Sequence, residues 1–376
     1  MTTKVLELFG EPIGFGGQES YVITQLSHMD RDGLSFDCLS PYACENEDWR
    51  LAFQDMGGRV FTLGLPFRPG SSRELLRKPL RDFLAQHAYD VVHIQSGSTT
   101  VLSIASAVAS DAGVPLILAH SHSANEHMTL KKRAIRRAAS LEMRRADVLC
   151  ACSVEAALSK FLPSRLKDVR ILNNGIDVER FEAAQESRDA LRAEAGIDPS
   201  TIVVGNVGRL SEAKNQSFAI DVFGELLRIH PDAVLWLVGD GEDREMLEAK
   251  VARKGLADST RFLGARSDVE NALACMDVFL FPSLWEGLGI AVLEAQAAGL
   301  PCIVSNVVPR TVEVCPDYVT RLSLSDPASQ WAEAVLQKAG RRNTHQAPGF
   351  RDRGFAANET ARELRQLYLS RESAID

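Results

Sequence analysis

Short apolar runs rich in β-branched residues alternate with helix-period patterns along the whole chain, which restricts it to parallel α/β architecture rather than sandwiches or bundles. Runs near 4–9, 34–39, 59–63, 90–95, 115–120, 147–152 and 169–173 read as strands. The pattern then restarts at 202–205 and continues through 234–238, 261–263, 278–281 and 302–305. Between the two series lie the turn-forming Asn173-Asn174-Gly175-Ile176-Asp177 and a polar, Glu- and Arg-rich stretch at 179–199, where the domain boundary is placed. At 376 residues the chain exceeds the usual span of one core, so two α/β domains are predicted, 1–176 and 177–354. After a loop-like 341–354, residues 355–372 read as an amphipathic helix with Leu364, Leu367 and Tyr368 on one side.

Doubly wound sheets bind ligands beyond the carboxyl ends of their strands, so the informative residues should follow strand runs. The sharpest such segment is Pro282-Ser283-Leu284-Trp285-Glu286-Gly287-Leu288-Gly289, running into a helical pattern that carries Glu294. Gly287 and Gly289 let backbone approach a ligand closely, and free amides at the helix start suit an anion such as the diphosphate of a nucleotide sugar. Glu286 and Glu294 are eight positions apart, up to ~12 Å at helical rise, too far to share a proton but suited to two parts of an extended ligand. The plain alternative is that Glu286 caps the helix and Glu294 is solvated. Upstream, Gly205-Asn206-Val207-Gly208-Arg209-Leu210-Ser211-Glu212-Ala213-Lys214-Asn215 also follows a strand. Arg209 and Lys214 suit a leaving diphosphate, where charge grows as the glycosidic bond breaks, although loop cations are often simply solvated.

The Glu286-x7-Glu294 spacing, the Gly-Arg-Leu…Lys-Asn loop, Val238-Gly239-Asp240-Gly241 and Phe262-Leu263-Gly264 resemble the retaining glycosyltransferases of family four over nearly the whole chain. That resemblance implies the GT-B fold, two facing Rossmann-like domains with a central cleft, the C-terminal helix packing back on the N-terminal acceptor-binding domain. It also implies that Arg209 and Lys214 hold the diphosphate, Glu294 the ribose, and Glu286 with Gly287, Leu288 and Gly289 the donor sugar. By the same resemblance Gly239 and Leu263 would belong to the nucleotide site, with the segment after Phe262 meeting the base. UDP is the expected nucleotide by family frequency, and retention at the anomeric carbon is implied. No enzymic nucleophile stands out, so same-face attack is expected, the leaving phosphate helping to deprotonate the acceptor.

In the first half, Gly14-Phe15-Gly16-Gly17-Gln18-Glu19-Ser20 follows a strand without matching the dinucleotide fingerprint, which disfavours a nicotinamide oxidoreductase. By the resemblance, Gly16 and Gly17 lie across the cleft from the donor phosphates. His120-Ser121-His122-Ser123 ends another strand, where an imidazole suits the donor sugar or the acceptor. The resembled family has one histidine here, so the assignment stays open between His120 and His122; the Ala-His-Ser-His pattern looks most like the branch that builds bacterial capsular and exopolysaccharides. Third and fourth metal ligands are not evident beside the pair, and His127 reads equally as a surface residue. Asp30-Arg31-Asp32 fits a helix-ending turn before Gly33 better than a metal-binding strand end. No cofactor and no obligatory metal are expected.

Seven cysteines without a CxxC pair indicate neither disulfide framework nor zinc site, and Cys150 and Cys152 read as small hydrophobes on one strand face. With no signal-like start and no apolar run near 20 residues, a cytoplasmic location is expected. A net charge of −8 disfavours nucleic acid as partner. The charge is uneven: Lys131, Lys132, Arg133, Arg136, Arg137, Arg144 and Arg145 face the single acid Glu142. This segment is either a solvated helix face or, with Leu130, Ile135, Leu141 and Met143, a peripheral contact for anionic membrane or a lipid-pyrophosphate-linked acceptor. The reading is a glycosyltransferase moving sugar from a nucleotide sugar to a glycan or lipid-linked glycan in polysaccharide biosynthesis. Its rivals are a sugar-nucleotide epimerase on the same scaffold and a catalytically silent nucleotide-sugar-binding protein.

Overall fold

In the computed structural model, which describes residues 2–68, 73–124, 130–343 and 347–370, every anticipated run forms a strand in one of two wholly parallel sheets. The first sheet comprises β1 (Thr3–Phe9), β2 (Leu34–Ser40), β3 (Arg59–Thr62), β4 (Val91–Ser96), β5 (Leu116–Ser121), β6 (Val148–Ala151) and β7 (Val169–Ile171), in the order β3-β2-β1-β4-β5-β6-β7. The second comprises β8 (Ile202–Val207), β9 (Ala233–Val238), β10 (Thr260–Gly264), β11 (Val278–Phe281), β12 (Cys302–Ser305) and β13 (Val319–Leu322), in the order β10-β9-β8-β11-β12-β13. Both are Rossmann orders, with the strand sequence reversing between β1 and β4 and again between β8 and β11. Strand β13 was not anticipated, since Val319-Thr320-Arg321-Leu322 is a short, partly exposed edge strand without an apolar run.

By contact, the chain divides into two compact units: the described residues up to Gly175 together with those from Ala357 onward, and Ile176–Ala356. In the first, Phe9, Tyr21, Leu26, Phe36, Trp49 and Phe53 form the core with Leu364, Leu367 and Tyr368 of the last helix, Ala357–Leu369. That helix packs on the helix Gly17–His28. A Cβ on Gly175 would lie 2.1 Å from Thr360 Oγ1, so glycine is what lets the returning chain pass there. Side-chain caps start several crossover helices: Ser98 accepts from Val101 N–H, Asn46 from Trp49 N–H and Ser153 from Ala156 N–H.

In the second unit Val204, Leu210, Ile220, Phe223, Leu235, Leu237 and Trp331 form the core. The polar stretch 179–199 forms the helices Val178–Glu186 and Arg188–Glu194. Asp277, at the start of β11, accepts from Arg188 Nη2 at 2.6 Å, Arg192 Nη1 at 3.0 Å and the Val203 amide at 2.8 Å. Charge pairing thus ties these helices to the sheet where apolar patterning is weak.

Candidate active site

The second unit gathers its features beyond the carboxyl ends of β8, β9, β10 and β11. Backbone bonds lace the four loops: Gly208 N–H to Val238 O at 2.9 Å, Leu210 N–H to Asp240 O at 3.0 Å, Gly239 N–H to Gly264 O at 2.7 Å and Leu284 N–H to Ala213 O at 2.8 Å. Gly239 has φ +133°, and a Cβ there would lie 2.1 Å from Gly208 O, so no other residue fits. Asn215 takes the left-handed conformation, φ 53°, and donates from Nδ2 to Pro282 O at 3.0 Å. That bond swings the turn Glu212–Lys214 toward the β11 loop.

There the Lys214 ammonium donates to Glu286 Oε1 at 2.6 Å and sits 5.0 Å from the centre of the Phe281 ring. The Glu286 side chain is 7% exposed and that of Lys214 22%. Gly289, at φ 92°, starts the helix Ile290–Ala297 with no side-chain cap, so Glu286 pairs with a cation instead of capping the helix. Glu294 is partly buried in the second turn of that helix, Leu288 is buried, and Gly287 and Leu263 are partly exposed. Arg209 takes a different partner from Lys214: its 66% exposed side chain pairs with Glu242 at 2.9 Å. Ser283 Oγ, which sequence reasoning did not single out, is buried without a hydrogen-bond partner among the described residues.

The first unit builds its polar centre from the strands themselves. Glu7 on β1, His93 and Gln95 on β4 and His120 on β5 are all buried, and Tyr368 joins them from the last helix. Tyr368 Oη donates to Glu7 Oε1 at 2.6 Å, and Gln95 Nε2 donates to Glu7 Oε2 at 2.8 Å. Burial opposes ionisation of Glu7, but His93 and the bonds from His93, Gln95 and Tyr368 outweigh it and hold the carboxyl below its usual range. His93 bonds His120 at 3.1 Å, and Gln95 Oε1 meets His122 Nε2 at 2.5 Å. His120 is fully buried and His122 partly exposed, and each ring keeps one buried nitrogen, His120 Nε2 and His122 Nδ1, without a hydrogen-bond partner among the described residues. Burial, then the neighbouring histidines, lowers the basicity of both rings, that of His122 to about 3. Both are neutral hydrogen-bonding groups at physiological pH.

Beside them the glycine loop is organised by acids. Glu19 Oε1 accepts from the Gly14 amide at 2.9 Å, and a Cβ on Gly16, the residue before Gly17 opens the helix, would lie 2.6 Å from Glu19 Oε2. Glu11 accepts from Ser96 Oγ at 3.1 Å, and burial raises the carboxyl pKa of both acids. Glu7, His93 and Gln95 were missed, yet two-faced burial offered a signal: polar residues at alternate positions of a central strand need partners. Asp30 and Asp32 sit in the turn ahead of β2, at the end of the sheet opposite these groups, where Arg365 donates to both backbone carbonyls. Among the described residues no three His, Cys, Asp or Glu side chains form a metal-ligand group. His127 lies outside the described residues.

The basic segment forms the helix Leu130–Met143, with Leu130 and Leu141 exposed. Arg133, Arg136 and Arg137 line a concavity of about 580 Å³ with Leu158, Leu162 and Pro163, and Arg136 also donates to Leu158 O at 2.9 Å. The Lys131 and Lys132 side chains lie outside the described part. Among the described residues no helix is long and apolar enough to cross a membrane.

Two parallel sheets of Rossmann order, with helices between the strands, define a protein of the GT-B class. Residues 16–162 match the family model described as glycosyl transferase 4-like domain, and residues 187–345 match glycosyl transferases group 1. Over 338 residues the chain is 32% identical to the putative glycosyltransferase EpsF of Bacillus subtilis (strain 168), covering 86% of this chain and 85% of that protein. It is also 32% identical over 238 residues to the UDP-Gal:alpha-D-GlcNAc-diphosphoundecaprenol alpha-1,3-galactosyltransferase of Escherichia coli, covering 61% and 60%. The crystal structure of Anabaena HepE in complex with UDP and glucose is similar at TM-score 0.77 and 20% identity, covering 98% of this chain and 100% of that one. The chain belongs to the family-four glycosyltransferases and is a glycosyltransferase.

Proposed function

We propose that the enzyme transfers a glycosyl group from a nucleoside diphosphate sugar, with UDP as the nucleotide, to a hydroxyl of a glycan or lipid-linked glycan in polysaccharide biosynthesis. The Lys214–Glu286 pair carries this reading. A cation held by a nearly buried carboxylate, beside glycine-opened loops and a helix start, suits a diphosphate leaving group and an adjacent sugar hydroxyl. Arg209 would exchange Glu242 for phosphate, and Glu294 would take the ribose. His122, neutral and partly exposed, would bond a sugar or acceptor hydroxyl. A lysine and backbone amides can meet the developing phosphate charge in place of a metal. Retention follows from the family resemblance, and without an assigned nucleophile the retaining route would be same-face attack rather than double displacement.

The UDP reading is supported by the name of the Escherichia coli relative and the ligands of HepE. The same relative's lipid diphosphate acceptor, together with the arginine-lined concavity and exposed leucines, supports peripheral work at the cytoplasmic face of an anionic membrane. The experiment is stabilisation by nucleotide: millimolar UDP, but not GDP or ADP, raises the melting midpoint without added metal, and Glu294→Ala abolishes the shift. No shift with any nucleotide would sink the donor assignment. An inverted anomeric carbon in the product would sink retention alone.

A further inference from the structure

The buried polar centre of the first unit has a direction, because several of its groups can only donate or only accept. Glu7, held ionised, is acceptor-only. Tyr368 spends its one proton on Glu7 Oε1 at 2.6 Å, so its oxygen accepts from His93 Nδ1 at 2.7 Å. The His93 Nδ1 proton also faces Glu7 Oε2, 3.5 Å away. Glu7 Oε2 takes an amide hydrogen of Gln95 at 2.8 Å, which orients the Gln95 amide although its nitrogen also lies 3.1 Å from His93 Nδ1. The Gln95 oxygen is then turned to His122 Nε2 at 2.5 Å. An amide oxygen cannot donate, so the hydrogen in that bond belongs to His122. Its Nδ1 is a buried atom with no partner among the described residues, so a hydroxyl that bonds it must displace what covers it.

We propose that Glu7, Gln95 and Tyr368 are positioning residues that fix His122 as the Nε2–H tautomer, leaving Nδ1 as the acceptor offered to a substrate hydroxyl. This rests on the reading of His122 as the ligand-facing histidine, and it deepens it: the ring accepts from the sugar or acceptor and does not donate to it. The last helix supplies Tyr368, so the end of the chain takes part in setting the proton of a residue on the sheet some 246 positions earlier, counted from 122 to 368. Neutral imidazole has two tautomers of similar energy, and which one is populated follows the bond made by the other nitrogen.

Long-range nitrogen–proton NMR of the imidazoles in the whole 15N-labelled chain tests this, with His122→Asn assigning the ring. Wild type should show a single Nε2–H form for His122. Gln95→Met, of similar volume but without the amide, should show both tautomers in exchange. Gln95→Glu, which keeps an oxygen facing Nε2, should restore Nε2–H. Transfer by Gln95→Met should fall about twofold to threefold in kcat, the share lost when two tautomers of similar energy are both populated, with the KM for donor little changed. An Nδ1–H form in wild type, or an unchanged single tautomer in Gln95→Met, overturns the proposal, and the wild-type spectrum alone suffices if Gln95→Met does not fold. Nucleotide stabilisation reports on the other unit. Its absence in wild type would count against the donor reading while leaving the tautomer result intact.

Discussion

The two sheet reversals are built from opposite materials. Between β8 and β11 the second unit uses backbone: glycines that admit close approach, loops laced by amide–carbonyl bonds, and one lysine–glutamate pair partly open to solvent. Between β1 and β4 the first unit uses side chains, with Glu7, His93, Gln95 and His120 buried on the strands and Tyr368 arriving from the far end of the chain. Each half is accordingly suited to a different kind of group. Backbone amides and a cation stabilise concentrated negative charge, whereas neutral rings and amides with assigned donor and acceptor roles discriminate between hydroxyl groups.

Removing the cation should have the greatest consequence. Lys214→Met should lower transfer by roughly a hundredfold to a thousandfold, as expected when a group aimed at developing charge is lost. The UDP-dependent rise in melting midpoint should shrink with it, while the His122 tautomer, which belongs to the other unit, stays as in wild type. A Lys214→Met enzyme within about threefold of wild type would mean that backbone alone handles the phosphate charge, and the contrast between the units would have to be redrawn.

How much of this was legible in the sequence follows the same divide. Lys214, Glu286 and the glycines of the second unit lie in segments that directly follow strands, so local order alone exposes them. The one missed strand, β13, lies at an edge and lacks the apolar run that betrays a buried strand. Arg209 was named with Lys214, but sequence spacing does not say that its guanidinium reaches Glu242. In the first unit Glu7 and Gln95 went unnoticed, and Tyr368 was read only as part of the last helix's apolar side, because their meeting depends on β1 lying beside β4, and on a helix 361 positions from Glu7. Periodicity marks each strand, but not which strands are neighbours. Two histidines at one strand end were visible, while the burial that separates fully enclosed His120 from partly exposed His122 was not.

Acid should probe the side-chain site selectively. The ordinary imidazole value is near 6.5, and the fold holds His122 down to about 3, so between these limits the unfolded chain carries a proton that the folded ring refuses. Unfolding therefore takes up a proton, and stability falls as pH drops through this window, by at most ~1.4 kcal/mol per pH unit for this ring. Glu11 and Glu19, whose carboxyl pKa values burial raises, act in the other direction, giving stability that is fully present below about 4.5 and lost as pH rises through their raised values. Their share cancels when two proteins are compared. Urea unfolding of wild type and His122→Asn at several pH values should show the wild-type advantage narrowing below about pH 6. Parallel curves would mean that the ring is protonated in the fold at those pH values.

The exposed pair of the second unit should matter least. Arg209 and Glu242 are 66% and 58% exposed, so their attraction is screened and the pair contributes no more than about 1 kcal/mol to stability. Glu242→Ala should leave urea unfolding nearly unchanged. If Arg209 turns from Glu242 to phosphate on binding, removing the carboxylate also removes a competitor and a like charge near the incoming diphosphate. UDP should then bind about threefold more tightly in low salt, the gain fading as salt screens the guanidinium. Arg209→Ala should weaken UDP while leaving stability as little changed. Tighter binding in Glu242→Ala that persists in the Arg209→Ala, Glu242→Ala double variant would assign the gain to simple charge removal; loss of the gain there would place Arg209 on the phosphate.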